Sequence, residues 1–277
     1  MVRRVSVCNN MNNFIKLILA LFYFVFDSLR RWLLNRPYPL VVLCYHEVTA
    51  KQAGAFQRQL QQILRHTQAV FADAPASGQT RQLAVSFDDG FANLLEHALP
   101  QMQAKAIPAT LFIPTAALGQ YPPWLQAGHH PNKTEILMTA EQLQNLSEQW
   151  VKIGSHANHH IDLTQLKSAD LEAELQQSKT CLNTLLNKPV DLLAFPYGRY
   201  DNNVIQVARK TGYQRIFAAD PVTDSDTYLL GRSSVYPEDG PLTFYLKIHG
   251  AYQWLPIAIA WKRRLKGLYQ RSVYEKC

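Results

Sequence analysis

The chain has 277 residues, 47% of them hydrophobic and 18% charged, which suits one large α/β core or two small ones and excludes global disorder. Its formal charge of +7 is compatible with nucleic acid, an anionic membrane surface or an acidic glycolipid. The four cysteines (Cys8, Cys44, Cys181, Cys277) lack metal-type spacing and give no disulfide framework. Cys44 and Cys181 lie in apolar stretches and read as small buried residues.

Residues 14–26, "FIKLILALFYFVF", are apolar apart from Lys16, and "LRRWLLNRP" continues them at helical spacing. The unbroken run from Leu17 is short for a transmembrane helix, and no small-x-small cleavage site follows. Three readings stand: an interfacial amphipathic helix, an uncleaved anchor, or a helix packed on the domain. Positive charges flank both ends, so orientation is not set.

After Pro37 and Pro39, "LVVLCYHEV" predicts a strand that ends in polar residues. Phe56, Leu60, Ile63 and Leu64 predict a helix over residues 56–71. Residues 73–82 are a loop, "LAVSF" a second buried strand, residues 91–105 a helix and "IPATLFIP" a third strand. A long loop rich in Pro, Gly, His and aromatics runs from Thr115 to about Thr134. Thr139 with Gln142 forms a capping box before a helix over residues 140–149, and "VKIGS" is a fourth strand. Ser168 is expected to cap a helix over residues 169–187, with Leu171, Leu175, Leu182 and Leu185 on its stripe. "VDLLAFPYG" is a fifth strand, residues 201–212 a helix closed by Gly212, "YQRIFAA" a sixth strand and "YLLGRSSVY" a seventh. The C-terminal "AYQWLPIAIAWKRRLKGLYQR" alternates aromatics and aliphatics with basic residues, as a headgroup-layer segment or an ordinary closing helix would. Strands alternating with helices predict a mostly parallel sheet, and about seven such units predict a closed or nearly closed barrel.

The basic residues crowd the two ends: Arg3, Arg4, Lys16, Arg30, Arg31 and Arg36, then Lys262, Arg263, Arg264, Lys266 and Arg271. A nucleic-acid groove would draw cations from the middle of the fold as well, so basic ends with interleaved aromatics read as membrane-surface contacts.

His46, Asp88, Asp89, His156 and Tyr197 all fall at the carboxyl ends of predicted strands, where parallel α/β folds build their sites. "SFDDG" by itself is compatible with a strand-to-helix turn. "GSHANHH" places His156 and His160 four residues apart, a spacing that can aim both at one ion. One aspartate from "SFDDG" would complete two imidazoles and a carboxylate, leaving positions open for water and substrate. The other aspartate could then accept a proton from the attacking water. A Lewis acid beside a base describes hydrolysis of an amide or ester, with His46 available to protonate a leaving nitrogen.

These motifs resemble those of the polysaccharide deacetylases, carbohydrate esterase family 4, whose catalytic unit is the NodB-homology domain. "SFDDG", "HANHH" and "FPYG" match the family's first three motifs. "LCYHEV" and "ILMTAEQLQNL…VKIGSH" further resemble the branch that contains poly-N-acetylglucosamine deacetylases. The resemblance covers about residues 38–240. It implies a distorted (β/α)7 barrel, with Asp88 the general base, Asp89, His156 and His160 the metal ligands, and His159 a bystander. It also implies that the backbone N–H of Tyr197 helps hold the oxyanion. The activity implied is metal-dependent removal of acetyl groups from N-acetylated sugars.

The chain departs from the pattern in three places. Ala157 stands where Ser or Thr is usual, which loses a supporting hydroxyl. Ala194 stands where an arginine usually orients the base, and Arg232 in "LGRSSVYP" is the expected replacement from another strand. No late Asp-Trp motif is visible, and His249 in "LKIHG" competes with His46 for the part of general acid; the early "YH" of this branch favours His46.

The resulting expectation is a membrane-associating segment over residues 1–36, a catalytic domain over 37–240 and a basic amphipathic extension over 241–277. The function expected is that of a divalent-metal hydrolase, zinc most simply with cobalt or nickel as alternatives. It would remove N-acetyl groups from N-acetylhexosamine in a cell-envelope polysaccharide, lipopolysaccharide or lipid-linked precursor. Trp124, His129 and His130 could line the sugar groove or simply pack their loop. The membrane surface is an expected partner, nucleic acid is not, and the location expected is the cytoplasmic face of the inner membrane, with the periplasmic side as the alternative. A glycan-binding pseudoenzyme and an amidase or deformylase acting on another sugar amide are the alternatives.

Overall fold

The computed structural model describes residues 13–75, 78, 80–127, 131–222 and 227–254. Helix α1 (Asn13–Leu34) precedes strand β1 (Val41–Tyr45) and helix α2 (Ala53–His66). Next come β2 (Gln68–Val70), β3 (Gln82–Phe87), two short helices α3 (Leu94–His97) and α4 (Leu99–Gln103), and β4 (Ala109–Ile113). Helix α5 (Ala140–Gln144), β5 (Val151–Ser155), α6 (Ser168–Leu186), β6 (Leu192–Ala194) and α7 (Asn202–Lys210) follow. The last described elements are β7 (Arg215–Phe217), β8 (Leu229–Leu230), β9 (Ser233–Ser234) and α8 (Pro241–Ile248).

All strand pairings are parallel, and the sheet runs β8-β7-β6-β5-β4-β3-β1-β9, with β2 beside the first half of β3. The two ends of this path, β8 and β9, are separated in the chain only by Gly231 and Arg232. One stretch of chain therefore pairs with β7 and then with β1, and the sheet curls into the expected seven-stranded barrel. Gly231 is required at this seam: a Cβ there would lie 2.4 Å from the backbone nitrogen of Val222.

Side chains alternate across the strands with period two. Val41, Leu43, Tyr45, Leu83, Val85 and Phe87 point outward and pack under helices that include α2 and α8. Leu193, Phe195 and Ile216 point outward against α6 and α7. Val42, Ala84, Phe112, Leu192, Ala194, Phe217 and Leu230 form the barrel interior. At its amino end the segment after β2 closes the floor: the Ala72 N–H donates to Thr110 Oγ1, and Asp73 pairs with Lys152 at 2.6 Å.

Several expectations need correction. The helix expected over residues 91–105 is two short ones. Pro100 has no N–H to continue the first, so the chain restarts with proline in the first turn of α4. The helix expected to reach residue 71 ends at His66, because Thr67 is extended and Gln68–Val70 pairs with β3. The residue capping α6 is Lys167, with no side-chain cap bond, so Ser168 is the first helical residue rather than the cap. Cys181 is exposed on α6, whereas Cys44 is buried. The Thr139–Gln142 capping box is present, and Asp201 caps α7 by accepting from the Val204 N–H.

Helix α1 packs Leu17, Ala20 and Phe24 on Leu246, Ala251 and Tyr252, at and beyond the end of α8. Among the described residues no helix is long and apolar enough to cross a membrane. Most of the basic C-terminal segment, along with His129, His130, Arg3 and Arg4, lies outside the described residues.

Candidate active site

The interior alternation of β1, β3 and the seam converges on Asp88, the first residue past β3. The interior face of β3 carries Ala84 and Ser86, and Asp88 extends it. Arg232 reaches across the barrel as a fork, with Nη1 donating to Asp88 Oδ1 at 2.6 Å and Nη2 to Oδ2 at 2.8 Å. Its Nε donates to the Ala218 carbonyl at 2.9 Å, and its guanidinium lies over Phe112. The Ser86 hydroxyl accepts from Nη1 at 3.2 Å and donates to the Leu43 carbonyl, while the Cys44 thiol donates to Asp88 Oδ2 at 3.3 Å. Burial alone would push the Asp88 carboxyl up, but Arg232 and His156 outweigh it and hold it well below the usual carboxylate range. Burial likewise pushes the Cys44 thiol well up, so it is a neutral donor.

Asp89 turns away from this pair because its backbone is left-handed, at φ 68°. Its Oδ1 lies 3.1 Å from His160 Nε2 and 3.8 Å from His156 Nε2, and is buried without a hydrogen-bond partner. The His160 ring opposes the burial penalty and holds Asp89 below its ordinary value. His156 is buried, which pushes its imidazole down to about 4, so the ring is neutral. Its Nδ1 lies 2.8 Å from the Ala194 carbonyl, which can only accept, so the proton sits on Nδ1 and the Nε2 lone pair faces the aspartates. One donor atom from each of Asp89, His156 and His160 falls within 4.8 Å of the others. Tetrahedral ligands at about 2.0–2.1 Å from zinc sit roughly 3.3 Å apart, so this trio fits a divalent ion after small closure. The orphaned Asp89 oxygen is what such an ion would satisfy.

The ligand loop carries two left-handed non-glycine residues, Ala157 at φ 63° and His160 at φ 55°. Such backbone persists only where surroundings fix it. The fixing group is Glu174, buried on α6. It accepts from the N–H of Asn158 at 2.9 Å and of His159 at 2.6 Å, and its other oxygen lies 2.8 Å from His159 Nδ1. Asn158 is also held by Thr115 Oγ1 at 2.6 Å and by Gln177. The Ala157 N–H donates to Ser155 Oγ. His159 thus faces Glu174 and not the ligand trio. Sequence reading passed over Glu174, although its position three residues after Leu171 puts a charge on the buried stripe of α6.

The remaining residues rim this centre. Tyr197 has φ 58°, is half exposed and sets its ring edge-on to His160 at 4.7 Å. Trp124 stacks on His160 at 4.2 Å. His46 is exposed just past β1, close enough for its charge to act on both Asp88 and Asp89. His249 is elsewhere. It caps α8 at the amino end of β1, with Nδ1 2.7 Å from the Tyr245 carbonyl and its ring against Phe24 and His66.

Residues 76–216 match the family model described as polysaccharide deacetylase. YxkH of Bacillus subtilis (strain 168), itself assigned to the polysaccharide deacetylases, is 23% identical over 228 residues, 76% of this chain and 77% of its own length. Among solved structures, the Streptococcus pyogenes deacetylase PplD in complex with acetate superposes with TM-score 0.63 at 18% identity, covering 76% of this chain and 99% of its own. IcaB from Ammonifex degensii gives TM-score 0.63 at 19% identity, over 78% of this chain and 97% of its own. At these identities the structural likeness concerns the fold.

Proposed function

Because the chain belongs to the polysaccharide deacetylase family and is a carbohydrate deacetylase, we propose that it hydrolyses the N-acetyl group of an N-acetylhexosamine, GlcNAc by preference, in a cell-envelope glycan or its lipid-linked precursor. The observation that carries this reading is the buried Asp88, locked by Arg232, beside the open trio of Asp89, His156 and His160. The donor set of one carboxylate and two imidazoles suits zinc, with cobalt or nickel as substitutes.

When bound there, the ion supplies Lewis acidity toward the acetyl carbonyl and the attacking water. Asp88 accepts the water's proton, and the low position of its carboxyl keeps it ionised for that purpose across the working pH range. Arg232 holds the carboxylate plane and so fixes the direction of proton transfer. The Tyr197 backbone N–H steadies the developing oxyanion. His46, exposed at the mouth, gives a proton to the departing amine, so that amide and water become acetate and a hexosamine residue with a free amine, still linked in its glycan. Trp124 and Tyr197, both in ring contact with His160, offer aromatic surface to the sugar.

The pseudoenzyme alternative rests on Ala194 in place of the usual arginine and on Ala157 in the second motif, and the Arg232–Asp88 fork weighs against the first of these. The test is release of acetate from N-acetylhexosamine oligomers by metal-loaded protein, abolished by chelation and by Asp88→Asn. Release that survives both, or no release from any N-acetylhexosamine glycan, would sink the proposal.

A further inference from the structure

Helix α1 has the polarity of a water-soluble amphipathic helix turned inside out. The side toward the domain carries, with Leu17, Ala20 and Phe24, its Asp27–Arg31 ion pair at 2.6 Å, and Arg31 also donates to the Pro37 carbonyl. The side away from the domain is apolar: Phe14, Phe22 (73% exposed), Val25, Phe26, Trp32 (77% exposed) and Leu33. A contiguous apolar face of this extent exceeds what monomers ordinarily leave in water. The helix is also not a loose tail. It is tied to the barrel by α8, and by Arg31 and Arg81 against Tyr38, which itself bridges to Gly78.

Charge identifies what covers this face. Asp27 is the only acidic residue of α1 and is paired with Arg31, while Arg30 and the following Arg36 are exposed cations. An anionic lipid surface complements them, and the 22-residue helix, roughly 33 Å long, can lie in its plane. We propose that α1 is an in-plane membrane anchor that buries its outward apolar face among anionic lipids. Its attachment lies at the amino end of β1, where His249, Arg81 and Val41 meet α1. Asp88 lies at the other end of the barrel, so anchoring leaves the site uncovered.

The test is flotation of the full chain with phosphatidylcholine vesicles, with and without phosphatidylglycerol, at low and high salt. Wild type is expected to float with the anionic vesicles and about 10-fold less with neutral ones or at high salt. Phe22→Asp with Phe26→Asp is expected to cut partitioning by roughly 10-fold or more while melting at the wild-type temperature, since both side chains are exposed. Arg30→Glu with Arg36→Glu is expected to weaken binding to anionic vesicles alone. Three results would overturn the proposal: wild type that floats with neither vesicle, the Phe22/Phe26 variant floating as well as wild type, or light scattering that shows a defined oligomer which this variant converts to monomer. None depends on acetate release, so failure here is separable from failure of the deacetylase reading.

Discussion

Replacing Arg232 by alanine is the most direct perturbation of the proposed base. Asp88 is 3% exposed and takes two of its hydrogen bonds from the one guanidinium, at 2.6 and 2.8 Å. In Arg232→Ala only the Cys44 thiol remains as a side-chain donor to the carboxylate among the described residues. Breaking a buried pair in this way costs about 3–5 kcal/mol of stability. The Ser86 hydroxyl keeps its bond to Leu43, so the loss falls mainly on Asp88. The sign of the pH effect follows. In wild type the Asp88 carboxyl is depressed, so its stabilisation is present above the unfolded value of about 3.8 and fades as pH falls through the lower folded value. Without Arg232 only His156 and His46 still oppose the burial penalty, so the carboxyl moves up and the acid limb of kcat/KM moves toward neutrality. A misdirected and partly protonated base should lower kcat/KM by roughly 10²–10³-fold. Arg232→Lys keeps the charge but not the fork and should fall between. The assay is acetate release against pH, with thermal melts of the single variants and of Arg232→Ala combined with Asp88→Asn. The double variant should lose less stability than the two singles together. An unchanged pH profile with wild-type kcat/KM would refute the assignment.

Other outcomes follow from the same geometry. Glu174→Ala should weaken zinc binding by about 10–100-fold in chelator competition, with Glu174→Gln in between; unchanged affinity would show the clamp to be idle. His46→Ala should lower kcat by about 10²–10⁴-fold, whereas His249→Ala should leave kcat near wild type. The reverse pattern in steady-state kinetics would reassign the acid. Burial pushes the His249 imidazole down to about 4. The folded state therefore binds fewer protons than the unfolded one between that value and about 6.5, and His249 costs stability as pH falls across this window. His249→Gln should flatten the fall of melting temperature between those pH values, and an equally steep fall would exclude His249 as its source.

The barrel was legible because its strands are buried on both faces and read as short apolar runs between helices. The ligands were legible because "SFDDG" and "HANHH" are local in sequence, and Thr139 with Gln142 was legible for the same reason. What was not legible depends on distance or on competition between nearby forces. Gln68–Val70 continues the α2 pattern in sequence, yet the partner strand β3 draws it into the sheet. Glu174 looks like one more charge on a helix until the ligand loop, 15 residues earlier, is laid against it. Cys44 reads as a small apolar residue, but at its position it faces Asp88 from 44 residues away. Arg232 was named only because a motif lacked its arginine. Its 144-residue separation from Asp88 could be closed only by the barrel itself.

That closure explains why an arginine can migrate between strands without leaving the site. Ala194 and Arg232 both belong to interior positions of the ring, Ala194 on β6 and Arg232 on the seam two residues after the interior Leu230. The barrel interior holds the Arg232 guanidinium at the level of Asp88, over Phe112 and against Ser86. With alanine at 194, β6 contributes only its backbone there, and that carbonyl is spent on His156 Nδ1. Base and ligand are thus oriented by adjacent parts of one interior layer, the base from the seam and the ligand from β6. The seam is also where the sheet closes, with Gly231 packed against Pro221 and Val222. Closing the barrel and aiming the base are therefore a single structural event. A change that loosens the seam should cost activity before it costs the fold, because β7 and β1 remain paired to β6 and β3 on their other edges.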